Sequence, residues 1–135
     1  MIKVRVWDKE TKKMFVATEL QLDIYDAKVS FVASEDLEEN RTEFYDMDKI
    51  EIMQYVGSKD RNGREIYEGD IVRHHHNKNK TDYVVEWSDA SFGFIAAPIK
   101  ENPGRPHLNQ TTMLSYEIVG NIYENPELLG RKNEK

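Results

Sequence analysis

The chain has 135 residues, of which 33% are charged and 39% apolar, a composition typical of a soluble globular protein with room for one domain or two small lobes. Cysteine is absent, which excludes disulfides, thiolate metal sites and a cysteine nucleophile. The net charge of −6 is concentrated between residues 19 and 48, where ten residues are acidic and two are basic, so this segment disfavours a phosphate backbone as its partner.

The first 49 residues predict a small β lobe. Ile2, Val4 and Val6 alternate with polar or aromatic residues, which indicates a half-buried strand. A polar turn at 8–13 leads to a second strand at 14–17, and the two strands are expected to pair as a hairpin. Two further strands and a polar loop or helical turn complete the predicted lobe, at 20–24, 29–32 and 35–40.

The segment 53–72 is the most informative part of the chain because it contains two turn signals. Asn62-Gly63 is the strongest short-range hairpin signal and predicts a type I′ turn, with positive φ at both residues. Gly69, between Glu68 and Asp70, predicts a second turn in which the glycine takes a positive φ.

The rest of the chain continues the β pattern, and Asn125-Pro126 is expected to start a last helical turn. The fold class predicted is therefore mainly β, with an N-terminal β lobe, an SH3-like small barrel and a tail. Their expected bounds are 1–49, 50–130 and 131–135. Further predicted strands lie at 51–55, 65–67, 71–73, 81–87, 92–97 and 116–119, with a polar tip at 74–80, a loop at 100–106 and the helical turn at 127–129.

Three blocks of the chain carry a resemblance to a known family: MIKVRVWDKETKKM at 1–14, MQYVGSKDRNGREIYEGDIV at 53–72 and EIVGNIYENPELL at 117–129. With these blocks in this order, the chain resembles the YopX family, small proteins encoded by bacteriophages and prophages. The resemblance spans nearly the whole chain and implies an SH3-like β-barrel in the C-terminal part. It implies no activity, cofactor or site residue, and the stretches at 17–46 and 74–80 depart from the family pattern.

Aromatic residues on the C-terminal strands form the candidate binding face, because small barrels hold peptides or stacked bases on such surfaces. About half of these aromatic side chains are expected to belong to the core, and Trp87 is the best exposed candidate. The residues chosen for the face are Tyr67, Tyr83, Trp87 and Phe92. A protein partner is favoured, with nucleic acid as the alternative, since Lys78, Lys80 and Arg73 form only a weak basic patch.

Two polar clusters were weighed as chemical sites. His74, His75 and His76 are consecutive, so at most two share a strand face, and the cluster is interpreted as a solvated tip rather than a metal site. Glu65, Glu68 and Asp70 are interpreted as turn-forming acids rather than an acid–base pair. No catalytic residue, metal ligand or cofactor-binding residue is therefore predicted, and the protein is expected not to be an enzyme.

The function predicted is that of a phage or prophage accessory protein that binds another protein without catalysis. The alternatives are a nucleic-acid-binding accessory protein and a structural or assembly component of the phage. Exposed sheet edges favour a homo-oligomer. Without an apolar run of the roughly 20 residues that span a bilayer, or a secretory signal, the expected location is the bacterial cytoplasm and no membrane partner is expected.

Overall fold

The structure is a computed structural model that describes residues 3–23, 25, 28–33, 42–76, 81–99 and 106–130. Predictions made for 35–40, 77–80, 100–105 and 131–135 lie outside these residues. The protein is mainly β, as predicted, and forms two compact units, Met1–Gln54 and Tyr55–Lys135. The division into two domains at residue 50 stays a prediction.

The first unit is an antiparallel sheet with the strand order β4-β3-β2-β1-β5. Strand β5 begins in this unit and ends in the second. The two strands predicted at 14–17 and 20–24 are one strand, whose register shifts between Ala17 and Glu19. The elements are β1 (Val4–Asp8), β2 (Lys13–Asp23), β3 (Lys28–Ala33), β4 (Thr42–Asp46), a 3-10 turn (Met47–Lys49) and β5 (Ile50–Lys59).

Alternation along β1 builds the core of the first unit. Val4 and Val6 lie on the same face of this strand and are buried, as the sequence pattern predicts. Strands β2, β3 and β5 contribute the other buried members, Ala17, Val29 and Ile50, and three larger side chains pack against the group at its margin: Phe15, Tyr45 and Ile52.

The second unit contains the end of β5, which pairs with β6, and a four-stranded antiparallel sheet with the order β10-β7-β8-β9. Pro126 precedes the last helical turn, as predicted. The elements are β6 (Glu65–Tyr67), β7 (Asp70–His74), β8 (Asp82–Ser88), β9 (Gly93–Pro98), α1 (Gln110–Met113), β10 (Tyr116–Asn121) and α2 (Glu127–Gly130).

The sheets are curled and form a half-barrel, and the closed SH3-like barrel is not confirmed. One apolar cluster fills the second unit, drawn from β6, β7, β8, β9, α1 and β10. Its buried members are Ile66, Val72, Tyr83, Val85, Ala96, Met113 and Tyr116. This cluster ends part of the way along the β8–β9 hairpin, and that end determines which aromatic side chains reach solvent.

The turn at Asn62-Gly63 differs from the predicted type I′ turn. Gly63 has a φ of +82°, whereas Asn62 is not among the residues with positive φ. The N–H of Gly63 donates to the carbonyl of Asp60, and the Asp60 carboxylate accepts the N–H groups of Asn62 and Arg64, each at 2.9 Å. This side-chain acceptor favours a wider loop in which glycine alone is left-handed. Gly69, with a φ of +86°, confirms the second predicted turn.

Candidate functional site

The β8–β9 hairpin is longer than the apolar core beneath it. The face of its strands that packs on the core therefore continues past the last core residues. Val85 pairs with Ala96, and both are buried. The next pair on the same face, two residues further along each strand, is Trp87 with Phe94. Because the apolar cluster does not reach this pair, an aromatic surface lies at the end of the hairpin.

Trp87 is half exposed but held in place. Its ring meets that of Phe94 edge to face, with centroids 5.3 Å apart and an interplanar angle of 82°. The indole Nε1 donates to Oδ1 of Asp89 at 2.7 Å. One aromatic contact and one short hydrogen bond thus orient a ring that is 50% exposed to solvent.

Phe92 forms the end of this surface in an unfavourable backbone conformation. Its φ is +53°, in the left-handed region that glycine and asparagine favour, and its side chain is 88% exposed. The ring therefore gains little from packing within the chain, while the backbone carries a cost of about 1 kcal/mol or more. We call Trp87, Phe92 and Phe94 the aromatic tip.

Asp89 and Ser88 organise the loop that carries Phe92. The Asp89 carbonyl accepts the N–H of Phe92 at 3.4 Å, and the Ser88 hydroxyl oxygen accepts the N–H of Ser91 at 3.3 Å. The four loop residues, 89–92, connect the pair formed by Ser88 and Gly93. Asp89 therefore touches the aromatic tip through its side chain and supports Phe92 through its backbone.

The charge of this region is negative. Between residues 81 and 99 the sequence contains Asp82, Glu86 and Asp89 and neither lysine nor arginine. Asp82 is neutralised by Arg73, whose guanidinium donates to both carboxylate oxygens at 2.8 and 3.0 Å. Asp89 is exposed beside the aromatic tip, and Glu86 is exposed on the other face of β8, one residue before Trp87.

The structure separates the four residues of the predicted binding face into two pairs. Trp87 and Phe92 are exposed, whereas Tyr67 and Tyr83 are 4% and 8% exposed. Tyr83 meets Tyr116 edge to face with centroids 5.8 Å apart, and burial raises the pKa of Tyr83. The two buried tyrosines are not available as a surface in this structure: Tyr83 belongs to the apolar cluster, and the Tyr67 ring packs against that of Tyr55, with centroids 5.6 Å apart. The binding role of the exposed pair stays a prediction.

The sequence-based prediction of the binding face did not include Phe94 of the aromatic tip, nor Asp89, which orients Trp87. In the sequence Asp89 appears only as an acid that dilutes a weak basic patch. The signal that was available is its spacing, since an acid two residues after Trp87 at the end of a strand can reach back to the indole N–H across the turn.

The three consecutive histidines pack against one another. The ring centroids of His75 and His76 lie 3.8 Å apart, and the His74 ring contacts both, as well as Tyr116. Nδ1 of His75 lies 3.0 Å from the Ser115 carbonyl, which can only accept a hydrogen bond. Within the described part of the chain, no group of three or more His, Cys, Asp or Glu side chains is placed to hold a metal ion.

Two acids of the central segment have structural partners. Asp70 is fully buried, and its Oδ2 accepts the N–H of Tyr67 at 2.9 Å. Asp60 accepts three backbone N–H groups, the third from Ile118 of β10 at 2.9 Å. Burial alone would raise the pKa of Asp60, but these N–H groups and the Arg64 guanidinium together hold it below its ordinary value of 3.8.

These features define a small, mainly β protein with an acidic, aromatic hairpin tip. The family model described as "YopX protein" matches residues 3–130, and the chain belongs to the YopX family. The chain is also similar to protein EF1440 from Enterococcus faecalis, whose crystal structure aligns with a TM-score of 0.67 and 26% identity over 96% of this chain and 98% of that one. No curated protein matches it. Among the described residues, no helix has the length and apolar character required to cross a bilayer.

Proposed function

We propose that this YopX family protein is a non-catalytic binding module that engages another protein through the aromatic tip. The observation that carries the proposal is Phe92, an 88% exposed aromatic side chain on a residue with a φ of +53°. A conformation and an exposure that both disfavour phenylalanine are explained when a partner covers the ring.

The energetics support a protein partner. Covering a phenylalanine side chain contributes about 1.5–3 kcal/mol, which is enough to offset a backbone cost of about 1–3 kcal/mol at Phe92. Trp87 is already oriented by Phe94 and Asp89, so little further ordering is needed when it is covered. Tryptophan and other aromatic residues are enriched in the centres of protein interfaces.

The role proposed within the cell is that of a phage or prophage accessory protein acting in the cytoplasm of the bacterial host. The resemblance of three sequence blocks to a phage-encoded family supports this setting. The proposal that the protein is not an enzyme is supported by the local roles of its acids, since Asp60 and Asp70 accept backbone N–H groups at turns.

The proposal includes the architecture of an SH3-like barrel in the second unit. It is supported by hydrogen bonds that join the loop after β5 to β10: Arg61 N–H donates to the Tyr116 carbonyl at 2.8 Å, and Ile118 N–H donates to the Asp60 carboxylate. We expect slow hydrogen exchange at the amides of Arg61 and Ile118. Exchange as fast as in an unprotected loop would remove this support.

The protein-binding proposal is tested by affinity capture from prophage-induced cells, with nuclease treatment. The bait is the full chain, compared with Trp87→Ala and Phe92→Gly variants. The matched control is Lys12→Gly, since Lys12 has a φ of +60° in another hairpin loop. We expect a protein partner that survives nuclease and is lost with both tip variants but retained by the control.

Three outcomes contradict the proposal. A partner retained equally by all four baits places the binding surface elsewhere. Recovery of DNA or RNA alone, with retention that falls steeply as salt rises, favours the nucleic-acid-binding alternative over protein binding. Recovery of the chain within purified phage particles identifies an assembly component instead.

A further inference from the structure

The aromatic tip combines exposed rings with a fixed carboxylate. Asp89 Oδ1 lies 2.7 Å from the indole Nε1 of Trp87, so the carboxylate is held at the edge of an exposed indole. Glu86, which precedes Trp87 on β8, adds a second exposed negative charge. An aromatic face beside a carboxylate is the environment that attracts a cationic side chain.

The chain itself contributes no cation from this hairpin. Residues 81–99 contain neither lysine nor arginine, and Arg73 is paired with Asp82 at the far end of β8. The negative charges of Glu86 and Asp89 repel a phosphate backbone and an acidic peptide. They attract a basic peptide.

We infer that the aromatic tip recognises an arginine-bearing segment of its protein partner, an inference that rests on the function proposed above. The guanidinium stacks on the Trp87 indole and donates to the Asp89 carboxylate, while Phe92 covers the aliphatic part of the arginine or its apolar neighbour. Arginine fits better than lysine because its planar group stacks and donates several hydrogen bonds at once.

The test uses two peptides that differ only in charge, acetyl-Gly-Arg-Leu-Arg-Gly-amide and acetyl-Gly-Gln-Leu-Gln-Gly-amide, titrated into the isotope-labelled full chain. The readout is the indole N–H signal of Trp87, which is separate from that of the buried Trp7 and is assigned with Trp87→Phe. We expect the arginine peptide to shift this signal and the amides of 86–93, and to bind about tenfold more tightly than the glutamine peptide.

Charge is isolated by Asp89→Asn, which keeps an oxygen acceptor for the indole N–H. We expect this variant to bind the arginine peptide about three- to tenfold more weakly. The matched control, Asp48→Asn, removes one exposed charge from the first unit and is expected to bind as the unchanged protein does. Retained indole and amide signals of the free variants show that both fold.

The inference is overturned if the two peptides bind equally, if Asp89→Asn has no effect, if the arginine peptide shifts only signals outside the tip, or if a short DNA duplex shifts the tip signals. Failure of this kind leaves the protein-binding proposal intact when partner capture still depends on Trp87 and Phe92. Loss of that dependence refutes the proposed function itself.

Discussion

Two hairpin loops of this protein have similar backbone conformations but differ in their side chains: one loop is charged and the other is aromatic. Residues 9–12 join β1 to β2 and residues 89–92 join β8 to β9, and in each loop the fourth residue is left-handed: Lys12 at +60° and Phe92 at +53°. The first loop is charged and linked to its own unit, since Lys9 pairs with Glu51 at 3.2 Å and Glu10 with Lys49 at 3.3 Å. The second presents aromatic rings.

The comparison separates what the backbone requires from what the surface is used for. A four-residue loop with a left-handed last residue forms with a lysine at that position, so the turn does not require phenylalanine. The charged side chain is well solvated at an exposed position, whereas the aromatic one is not. The difference between the two loops supports the proposed interaction of the second loop with a partner.

The largest effect on stability is expected at a third turn, which differs from both loops because its acid bonds another strand. Asp60 is 3% exposed and its carboxylate accepts backbone N–H groups from Asn62, Arg64 and Ile118. Asp60→Ala leaves these donors without their acceptor, and we expect a loss of about 2–4 kcal/mol in the free energy of unfolding. Urea denaturation followed by tryptophan fluorescence measures it, and a loss below about 1 kcal/mol would show that water replaces the carboxylate.

The same carboxylate makes stability depend on pH in a known direction. Because the folded state lowers the pKa of Asp60, the folded protein binds this proton less readily than the unfolded chain does. The stabilisation is complete above the ordinary pKa of 3.8 and is lost as pH falls through the lower folded value. Asp60→Asn should flatten this part of the stability profile, and an unchanged profile would assign the acid sensitivity to other carboxylates.

Binding supplies the second test of the comparison. Trp87→Ala removes an oriented, half-exposed ring from the aromatic tip, and we expect partner affinity to fall by about tenfold or more. Lys12→Ala, at the corresponding surface of the charged loop, should leave affinity unchanged. Titration calorimetry with the captured partner measures both. Equal losses would show that the two loops do not differ in function.

A third test concerns the side chains that hold the loops. Asp8 is 8% exposed and its Oδ1 accepts the N–H groups of Glu10 and Thr11, whereas Ser88 accepts one N–H at 3.3 Å. We therefore expect Asp8→Ala to cost about 1–2 kcal/mol and Ser88→Ala less than about 0.5 kcal/mol. Urea denaturation of the two variants, followed by tryptophan fluorescence, gives the two values. The reverse order would contradict this account of the loops.

Local patterns predict most of the strands, although not β4 and not the continuity of β2, but they do not predict the exposure of the aromatic residues. Alternation places Tyr83 and Trp87 on the same face of β8, since they are four residues apart. What separates them is the end of the apolar cluster, which depends on Met113 and Tyr116 far along the chain. The turn at Asn62-Gly63 was mispredicted for a related reason: Asp60 bonds Ile118, a partner that no local pattern identifies.

The most direct comparison of the two loops is Phe92→Gly against Lys12→Gly. Glycine adopts a positive φ without steric cost, so each change should raise the free energy of unfolding by about 0.5–1 kcal/mol. Similar gains would show that the Phe92 ring adds nothing to the stability of the free chain. Since covering that ring is enough to offset the strain it imposes, its contribution would then be made in a complex. Urea denaturation of the two variants and of the unchanged protein measures these differences in the free energy of unfolding.

A loss of stability in Phe92→Gly with a gain in Lys12→Gly would show that the ring packs within its own chain, and the main support for a binding tip would be removed.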